Sequence, residues 1–161
     1  MDTNVDHSAI RTGQILAIAV LAAAFVFDRW EPVAAQAAIF LVTALAFHFG
    51  PYTLVYRHLL RPLGLVQPDM RVDNTQPHRF GQAVGAVSAA AAAVLLYLDY
   101  AVAGWVLVGI LVGLTAISFV GWCIGCFIYY QLNRLGVGGF FARAPTDRDV
   151  IPGARPRRTV R

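Results

Sequence analysis

Lysine is absent from this chain, glutamate occurs once, and charges of both signs are scarce. Charged residues make up 14% and hydrophobic residues 58% of the 161 positions, whereas about 25% of the residues of a soluble globular domain are charged. The apolar residues are gathered into long runs and do not follow the period of a soluble amphipathic helix. These features exclude an ordinary soluble domain and predict a small integral membrane protein with one compact helical domain.

Several motifs that carry chemistry are also missing. The sequence contains no phosphate-binding loop with its lysine, no H-E-x-x-H zinc motif and no arrangement typical of a catalytic triad. No carboxylate or arginine falls in the middle of an apolar run, which argues against an ion-coupled transporter. The start of the chain lacks a basic stretch before its first apolar run, so we expect that run to be retained as a span. No metal site is predicted, and no cofactor is evident.

Four apolar runs predict an all-α integral membrane fold with a bundle of four transmembrane helices. The spans are expected at about residues 10–27, 33–56, 80–98 and 102–130. Pro51 lies inside the second run, where it should kink the helix or divide it into a span and an interfacial segment. The predicted membrane domain covers residues 1–140. Residues 141–161 are predicted to be a disordered cytoplasmic tail, because arginine, proline and glycine are frequent there.

The arginines are distributed unevenly about these spans. Of the 13 arginines, 12 fall before the first span, in the loop between the second and third spans, or after the fourth, and only Arg29 lies on the other side. Because cytoplasmic loops of membrane proteins are enriched in basic residues, both termini and the middle loop are predicted to be cytoplasmic. The formal net charge of +4 is thus explained by topology, and no nucleic acid partner is predicted.

The two halves of the chain begin alike. Arg11-Thr12-Gly13-Gln14 opens the first span, and Arg79-Phe80-Gly81-Gln82 opens the third. This match favours two parallel helical-hairpin repeats related by an axis along the membrane normal, although arginine at a cytoplasmic helix start is also what topology alone requires. When the ends of the second and fourth spans are aligned, the two cysteines of the second half fall opposite Gly50 and Thr53.

Glycines recur at GxxxG spacing in the second half of the chain. The pairs are Gly81 with Gly85, Gly109 with Gly113, and Gly121 with Gly125. Small residues at this spacing let helix backbones approach closely in lipid, so they are expected to pack helices within the bundle rather than to form a dedicated dimer motif.

Both cysteines of the chain lie in the segment Trp122-Cys123-Ile124-Gly125-Cys126. Residues three apart share a helix face, so the two sulfurs can form a disulfide, help to hold a metal or pack as small apolar groups. Zinc or an iron–sulfur cluster usually needs four protein ligands, which the pair supplies only across a dimer or with His48. Redox or sulfur chemistry is the first hypothesis, and inert packing is its main alternative.

The expected position of the cysteine pair is the cytoplasmic end of the fourth span. A helix C-terminus raises the pKa of a thiol, so activation would require a nearby cation. His48 is predicted at a similar depth, and it joins Cys123 and Cys126 as a candidate catalytic residue, although contact with lipid headgroups explains it equally well. From depth alone, Cys126 is expected to be the attacking thiol and Cys123 the resolving thiol.

The cysteine segment resembles the G-[FW]-C-x-G-C-x-[IV]-Y signature of a bacterial membrane family filed as domain of unknown function 4395. Further matching segments are Val5-Asp6 with Arg11 and Gln14, Gly50-Pro51-Tyr52 with Arg61-Pro62, and Pro77 to Gln82. The resemblance covers about residues 5–134. It implies four spans and an architecture similar to DoxX-like and MauE-like membrane proteins of thiol and sulfur metabolism. It also implies gene neighbours that encode thioredoxin-like or rhodanese-like proteins.

These observations favour a component of thiol–disulfide exchange or sulfur relay in the bacterial cytoplasmic membrane. Its expected partners are the lipid bilayer and a cytosolic thioredoxin-like or rhodanese-like protein, and a quinone held in the bundle is a possible cofactor. Two alternatives from other classes stay open. One is a non-enzymatic scaffold or subunit whose cysteines only pack and whose arginine-rich tail binds anionic lipid, and the other is a transporter of small solutes.

Overall fold

The structure is a computed structural model, and it describes residues 3–135 and 153–154. In chain order, the elements are the strand β1 (Thr3–Asp6), the helices α1 (His7–Val26), α2 (Glu31–Leu45) and α3 (Pro51–Val55), the strand β2 (Met70–Asp73), and the helices α4 (Thr75–Tyr97), α5 (Ala101–Val120) and α6 (Ile124–Arg134). A 3₁₀ turn, Phe47–Phe49, precedes α3, and a π-helical turn, Tyr56–Leu60, follows it.

Three helices in the described part of the chain are long and apolar enough to cross a membrane. They are α1, α4 and α5. The fourth apolar helix, α2, has 15 residues, which correspond to about 22 Å, whereas the hydrocarbon core of a bilayer is about 30 Å thick. The fold is therefore mainly helical, as expected, and its long apolar helices are those of a multi-pass membrane protein.

The helices α1 and α4 begin in the same way, close behind a strand. The helix α1 follows β1 directly, and one residue separates α4 from the end of β2. The side chain of Asp6 accepts a hydrogen bond from the N–H of Ser8, and that of Asn74 accepts one from the N–H of Gln76, both at 3.0 Å. These caps satisfy amides that a helix N-terminus leaves unpaired. The strands β1 and β2 pair antiparallel and so hold the two helix starts together. Sequence patterns do not predict this small sheet, because four-residue strands are too short to show a clear alternation.

Small side chains dominate the interior of the bundle. Ala89 and Ala92 of α4 are fully buried in a cluster that also contains Val33 of α2. In lipid, helices associate through close van der Waals packing, and alanine permits a short distance between helix axes. Gln36 of α2 is also fully buried, and it accepts a hydrogen bond from the Tyr52 hydroxyl, so α3 is fixed against α2 by a polar contact.

The second apolar run is divided between two helices. The helix α2 ends at Leu45 and α3 begins at Pro51, with the 3₁₀ turn between them. Proline lacks the N–H of a helical hydrogen bond, and its ring clashes with the preceding turn, so a regular helix does not continue through it. The interruption expected at Pro51 is present, and it starts several residues earlier than the proline. The predicted span 33–56 is thus a shorter helix followed by a break.

The predicted disordered tail, residues 141–161, lies outside the described residues except for Gly153 and Ala154. These two residues contact the start of α6: the N–H of Cys123 donates to the Gly153 carbonyl at 2.8 Å, and Ala154 forms a bridge with Trp122. Gly153 has a φ of 83°, which favours glycine. The described part of the tail therefore lies beside the cysteine segment.

Replacement of Asp6 by alanine should destabilise the junction between β1 and α1. Besides capping α1, Asp6 accepts hydrogen bonds from the N–H of Asp69 at 3.1 Å and from the Tyr56 hydroxyl at 2.8 Å. Loss of a cap and of hydrogen bonds to a charged group is expected to lower the free energy of unfolding by about 2–4 kcal/mol. Thermal unfolding in detergent measures this change. Asp6→Asn, which keeps one acceptor oxygen, should lose less, and equal stability of Asp6→Ala and wild type would contradict the assignment.

Candidate functional site

Both cysteines lie at the start of a helix and not at the end of one. The helix α5 ends at Val120, and Gly121 follows with a φ of 123°, a backbone conformation that favours glycine. The helix α6 then begins at Ile124, with Cys123 as its N-cap residue. The predicted span 102–130 is therefore two helices joined by a turn. The expectation that a helix C-terminus raises the pKa of these thiols is wrong, because the chain changes direction at Gly121.

The N-cap position gives the two sulfurs different protonation states. The Cys123 sulfur accepts a hydrogen bond from the backbone N–H of Cys126 at 3.3 Å. A hydrogen bond from the Cys126 thiol lowers the pKa of Cys123 to about 6; burial opposes this shift, and the Cys126 backbone N–H supports it. The same thiol contact, together with burial, raises the pKa of Cys126. The contact between the two side chains therefore favours the thiolate at Cys123 and the thiol at Cys126.

The two cysteines also differ in accessibility. Cys126 is 5% exposed, whereas Cys123 is only partly buried. Cys123 borders a cavity of about 340 Å³ between the helices, and Cys126 does not border it. A molecule held in this cavity would therefore lie against Cys123 and not against Cys126.

A close approach of α4 and α6 places a histidine beside Cys126. A Cβ atom added to Gly125 would lie 2.9 Å from the Cα of Gly81, so the two backbones meet here without side chains between them. His78 lies one turn before Gly81 in α4, and its Nδ1 is 3.9 Å from the Cys126 sulfur. The glycine contact thus sets the distance between the imidazole and the thiol.

His78 belongs to a cluster that contains a second histidine and a carboxylate. Oδ2 of Asp73 lies 2.9 Å from Nε2 of His78 and 3.0 Å from Nε2 of His7. Burial raises the pKa of Asp73, but the hydrogen-bonding contacts and positive charge of the two imidazoles outweigh it and hold this pKa well below its usual range. Asp73 is therefore a carboxylate, and the cluster can orient His78 toward Cys126 or hold a cation.

The structure places His48 outside this cluster. The His48 side chain is exposed, and its ring packs edge-on against Phe47 with the ring centroids 5.7 Å apart. It borders the 340 Å³ cavity, as Cys123 does, but the imidazole that contacts a thiol is that of His78. Of the three candidate residues, the two cysteines come together, and His48 is not in contact with either of them among the described interactions.

Sequence patterns do not identify His7, Asp73 and His78 as site residues. Asp73 and His78 are close in the sequence, but His7 is distant from both, and the antiparallel pairing of β1 with β2 brings it to them. The pairing has no signature in the sequence. The only available signal was the family resemblance. One of its matching segments, Val5-Asp6, ends just before His7, and another, Pro77 to Gln82, includes His78.

The 340 Å³ cavity that Cys123 borders is lined by several polar groups. Gln14 donates from Nε2 to the Ser118 hydroxyl at 2.8 Å, while its Oε1 is buried and has no hydrogen-bond partner among the described residues. Further polar lining residues include Gln82, Tyr52, Tyr56, Arg57 and Arg61. Apolar side chains such as Phe40 and Leu111 also line it. A cavity with both kinds of lining suits an amphipathic small molecule.

The sequence profile of a family described as domain of unknown function 4395 matches residues 5–134. The chain belongs to this family. No curated protein and no solved structure matches the chain. The region shared with the family contains both cysteines and the whole His7, Asp73 and His78 cluster, so the candidate site lies within the family domain.

Proposed function

We propose that this member of the family is a multi-pass membrane protein that carries out thiol–disulfide exchange through Cys123 and Cys126. The observation that carries the proposal is the position of Cys123 at the N-terminus of α6, where Cys126 stabilises its thiolate. The thiolate is the nucleophile of such exchange, and a helix N-terminus favours negative charge. Cys123 is therefore the attacking residue and Cys126 the resolving residue, which reverses the order expected from depth.

The reaction proceeds through a mixed disulfide. The Cys123 thiolate attacks one sulfur of a partner disulfide, a new S–S bond forms, and the other partner sulfur leaves as a thiolate that takes up a proton. Cys126 then loses its proton and attacks the Cys123 sulfur, so that a disulfide forms within the protein and the first partner sulfur leaves. Two electrons pass from the protein to its partner, and the reverse sequence returns them.

The distribution of arginine supports a cytosolic partner. The two strands and the start of α6 lie at the end of the bundle where α1 and α4 begin, and the segment between α3 and β2 carries Arg57 and Arg61. By the positive-inside rule this end faces the cytoplasm. If the short helix α2 is counted as a fourth span, we infer that both termini lie inside and that Cys123 faces a thioredoxin-like or rhodanese-like protein.

The repeat also supports this arrangement. Gly50 is the N-cap of α3, and Cys123 is the N-cap of α6, which are the positions that the sequence alignment of the two halves places opposite each other. Two hairpins with one orientation would produce this correspondence. We therefore infer that a duplicated scaffold acquired its thiol site in the second half alone.

The pH dependence of alkylation tests the proposed thiolate. With a pKa of about 6, the thiolate fraction of Cys123 rises about 2-fold between pH 6 and pH 8, whereas that of a cysteine with a pKa of about 8.5 rises about 80-fold. We expect the rate of iodoacetamide labelling of Cys123 to change about 2-fold over this range in the purified protein. Mass spectrometry after timed quenching identifies the labelled residue, and the ratio of the two rates does not depend on how accessible the sulfur is.

Two variants of Cys126 serve as a matched pair for this experiment. Cys126→Ala removes the hydrogen-bond donor, so it should raise the pKa of Cys123 and steepen the pH dependence, while Cys126→Ser keeps a donor and should change it less. A wild-type dependence near 80-fold would refute the proposed thiolate. If neither cysteine can be labelled in the folded protein, the scaffold hypothesis with packing cysteines becomes the better explanation.

A further inference from the structure

Three metal-ligating side chains converge beside the thiol pair. The candidate ligand atoms of His7, Asp73 and His78 all lie within 4.8 Å of one another. His7 is 3% exposed, and the side chains of Asp73 and His78 are 13% and 18% exposed. Two imidazole nitrogens and one carboxylate oxygen in a partly water-excluded position are a donor set that binds zinc and ferrous iron in proteins.

The orientation of His7 distinguishes this cluster from an ordinary hydrogen-bonded group. Its Nε2 is buried and forms an ion-pair contact of 3.0 Å with Oδ2 of Asp73, but the angle of this contact is not that of a regular hydrogen bond. Ligands that share a metal ion aim their lone pairs at a common point and not along the line that joins them. A short contact between Nε2 of His7 and Oδ2 of Asp73 that is not aligned as a hydrogen bond is therefore consistent with two ligands of one metal ion.

The cluster also borders a small cavity that could hold an ion. This cavity has a volume of about 40 Å³ and is lined by His7, Asp73 and His78 together with Cys123 and Cys126. A single water molecule occupies about 10–15 Å³ of such volume, so the cavity has room for one ion and a water ligand. An ion there would have an open coordination position on the side of the thiols.

We propose that His7, Asp73 and His78 bind one divalent transition-metal ion next to the cysteine pair. In a tetrahedral zinc site with metal–ligand distances of about 2.0–2.1 Å, neighbouring ligand atoms are about 3.3 Å apart. The two contacts with Asp73, at 2.9 and 3.0 Å, would have to open by a few tenths of an ångström, and the two histidine nitrogens, which lie within 4.8 Å of each other, would have to approach. Arg11 borders the same cavity, and its positive charge favours an anion at the remaining position of the ion.

The proposal goes beyond thiol exchange and does not depend on it. Binding of the ion through Nε2 would leave the proton of His78 on Nδ1, the atom that faces the Cys126 sulfur at 3.9 Å. The metal would thus fix the tautomer of His78 and make this histidine a hydrogen-bond donor toward Cys126. In known metal sites, too, the second ring nitrogen of a ligand histidine donates a hydrogen bond to a neighbouring group. Metal binding and thiol reactivity can be measured separately on the same protein.

Elemental analysis of the purified full-length protein tests the site. The protein is prepared in detergent with a histidine-free affinity tag, loaded with zinc and dialysed against buffer without metal. We expect about one zinc ion per chain for the wild type and below about one fifth of an ion for His7→Gln, Asp73→Asn and His78→Gln. The exposed histidines offer matched controls, because His48→Gln and His58→Gln should retain the metal. Cys123→Ser and Cys126→Ser should also retain it.

A spectroscopic measurement on the wild type keeps the test independent of variant folding. Cobalt loaded in place of zinc should give the strong visible bands of a site with low coordination number and no thiolate-to-cobalt charge-transfer band. Three outcomes would overturn the proposal: no retained metal in the wild type, equal loss in His48→Gln, or a thiolate band that disappears in the cysteine variants. The last result would place the ion on the sulfurs and not on the histidine cluster.

Discussion

Cys126→Ser is expected to accumulate a mixed disulfide with an oxidised thioredoxin-like protein, and Cys123→Ser is expected to form none. Serine at position 126 still offers a hydrogen-bond donor to the Cys123 thiolate, so the first exchange step proceeds. The second step requires a sulfur at position 126, and without it the covalent intermediate remains. This pattern follows from the N-cap geometry, in which one thiol is activated and the other is buried behind it.

The size of the difference can be estimated from the chemistry of the remaining side chain. In Cys123→Ser, the only cysteine thiol left is that of Cys126, which is 5% exposed and whose pKa is raised in the wild type by the hydrogen bond with Cys123 and by burial. A serine hydroxyl is not ionised at neutral pH, so it does not replace the thiolate. We expect the initial rate of mixed-disulfide formation to fall by about 100-fold or more relative to Cys126→Ser.

Non-reducing gels of the purified variants, mixed with oxidised thioredoxin and quenched with acid, measure this rate. The double variant Cys123→Ser with Cys126→Ser is the blank. Capture by Cys123→Ser and not by Cys126→Ser would reverse the roles and restore the order expected from depth. Capture by neither would remove the support for exchange and favour the scaffold hypothesis.

A low pKa at Cys123 does not by itself make exchange fast at neutral pH. A thiol with a pKa near 6 has about 30 times more thiolate at pH 7 than one with a pKa near 8.5, but its thiolate is roughly tenfold less nucleophilic. The net gain in attack rate is then only a few-fold, and it becomes larger in mildly acidic solution. The main effect of the low pKa is on the step in which the Cys123 sulfur is displaced from a disulfide, because a thiol with a low pKa is a good leaving group.

The helical membrane architecture could be predicted because it depends on long apolar runs, which are a local property of the sequence. The helices α1 and α4 lie within a few residues of two predicted spans, and α5 forms the first part of the predicted span 102–130. The cysteine segment could be identified for the same reason. Its local geometry could not, because a single backbone angle at Gly121 changes the end of one helix into the start of another.

The histidine cluster depends on contacts between distant parts of the chain. The His7 side chain reaches Asp73 only because β1 pairs with β2, and His78 reaches Cys126 only because α4 and α6 meet at two glycines. Neither contact has a periodic pattern in the sequence. His48 was a plausible candidate by depth, but depth along one axis does not fix the position of a side chain around the bundle.

Gly125→Ala is expected to destabilise the protein and to disturb the thiol site. A Cβ at this position would lie 2.9 Å from the Cα of Gly81, and because the atom it meets is backbone, the helices α4 and α6 would have to separate. Overpacking of this kind costs about 1–3 kcal/mol, although alanine has a higher helix propensity than glycine by about 0.5–1 kcal/mol. We expect a net loss of stability, seen as a thermal unfolding temperature lower by several degrees.

Gly109→Ala is the matched control for this substitution. Gly109 also lies in a GxxxG pair within a helix, but an added Cβ there would have no described atom outside its own helix within 4 Å, so alanine should leave stability unchanged or raise it slightly. Separation of α4 from α6 should also move His78 away from Cys126 in Gly125→Ala alone. Equal stability of the two variants would mean that the Gly81–Gly125 contact is not tight enough to set the position of His78, and the geometry of the site would then need another explanation.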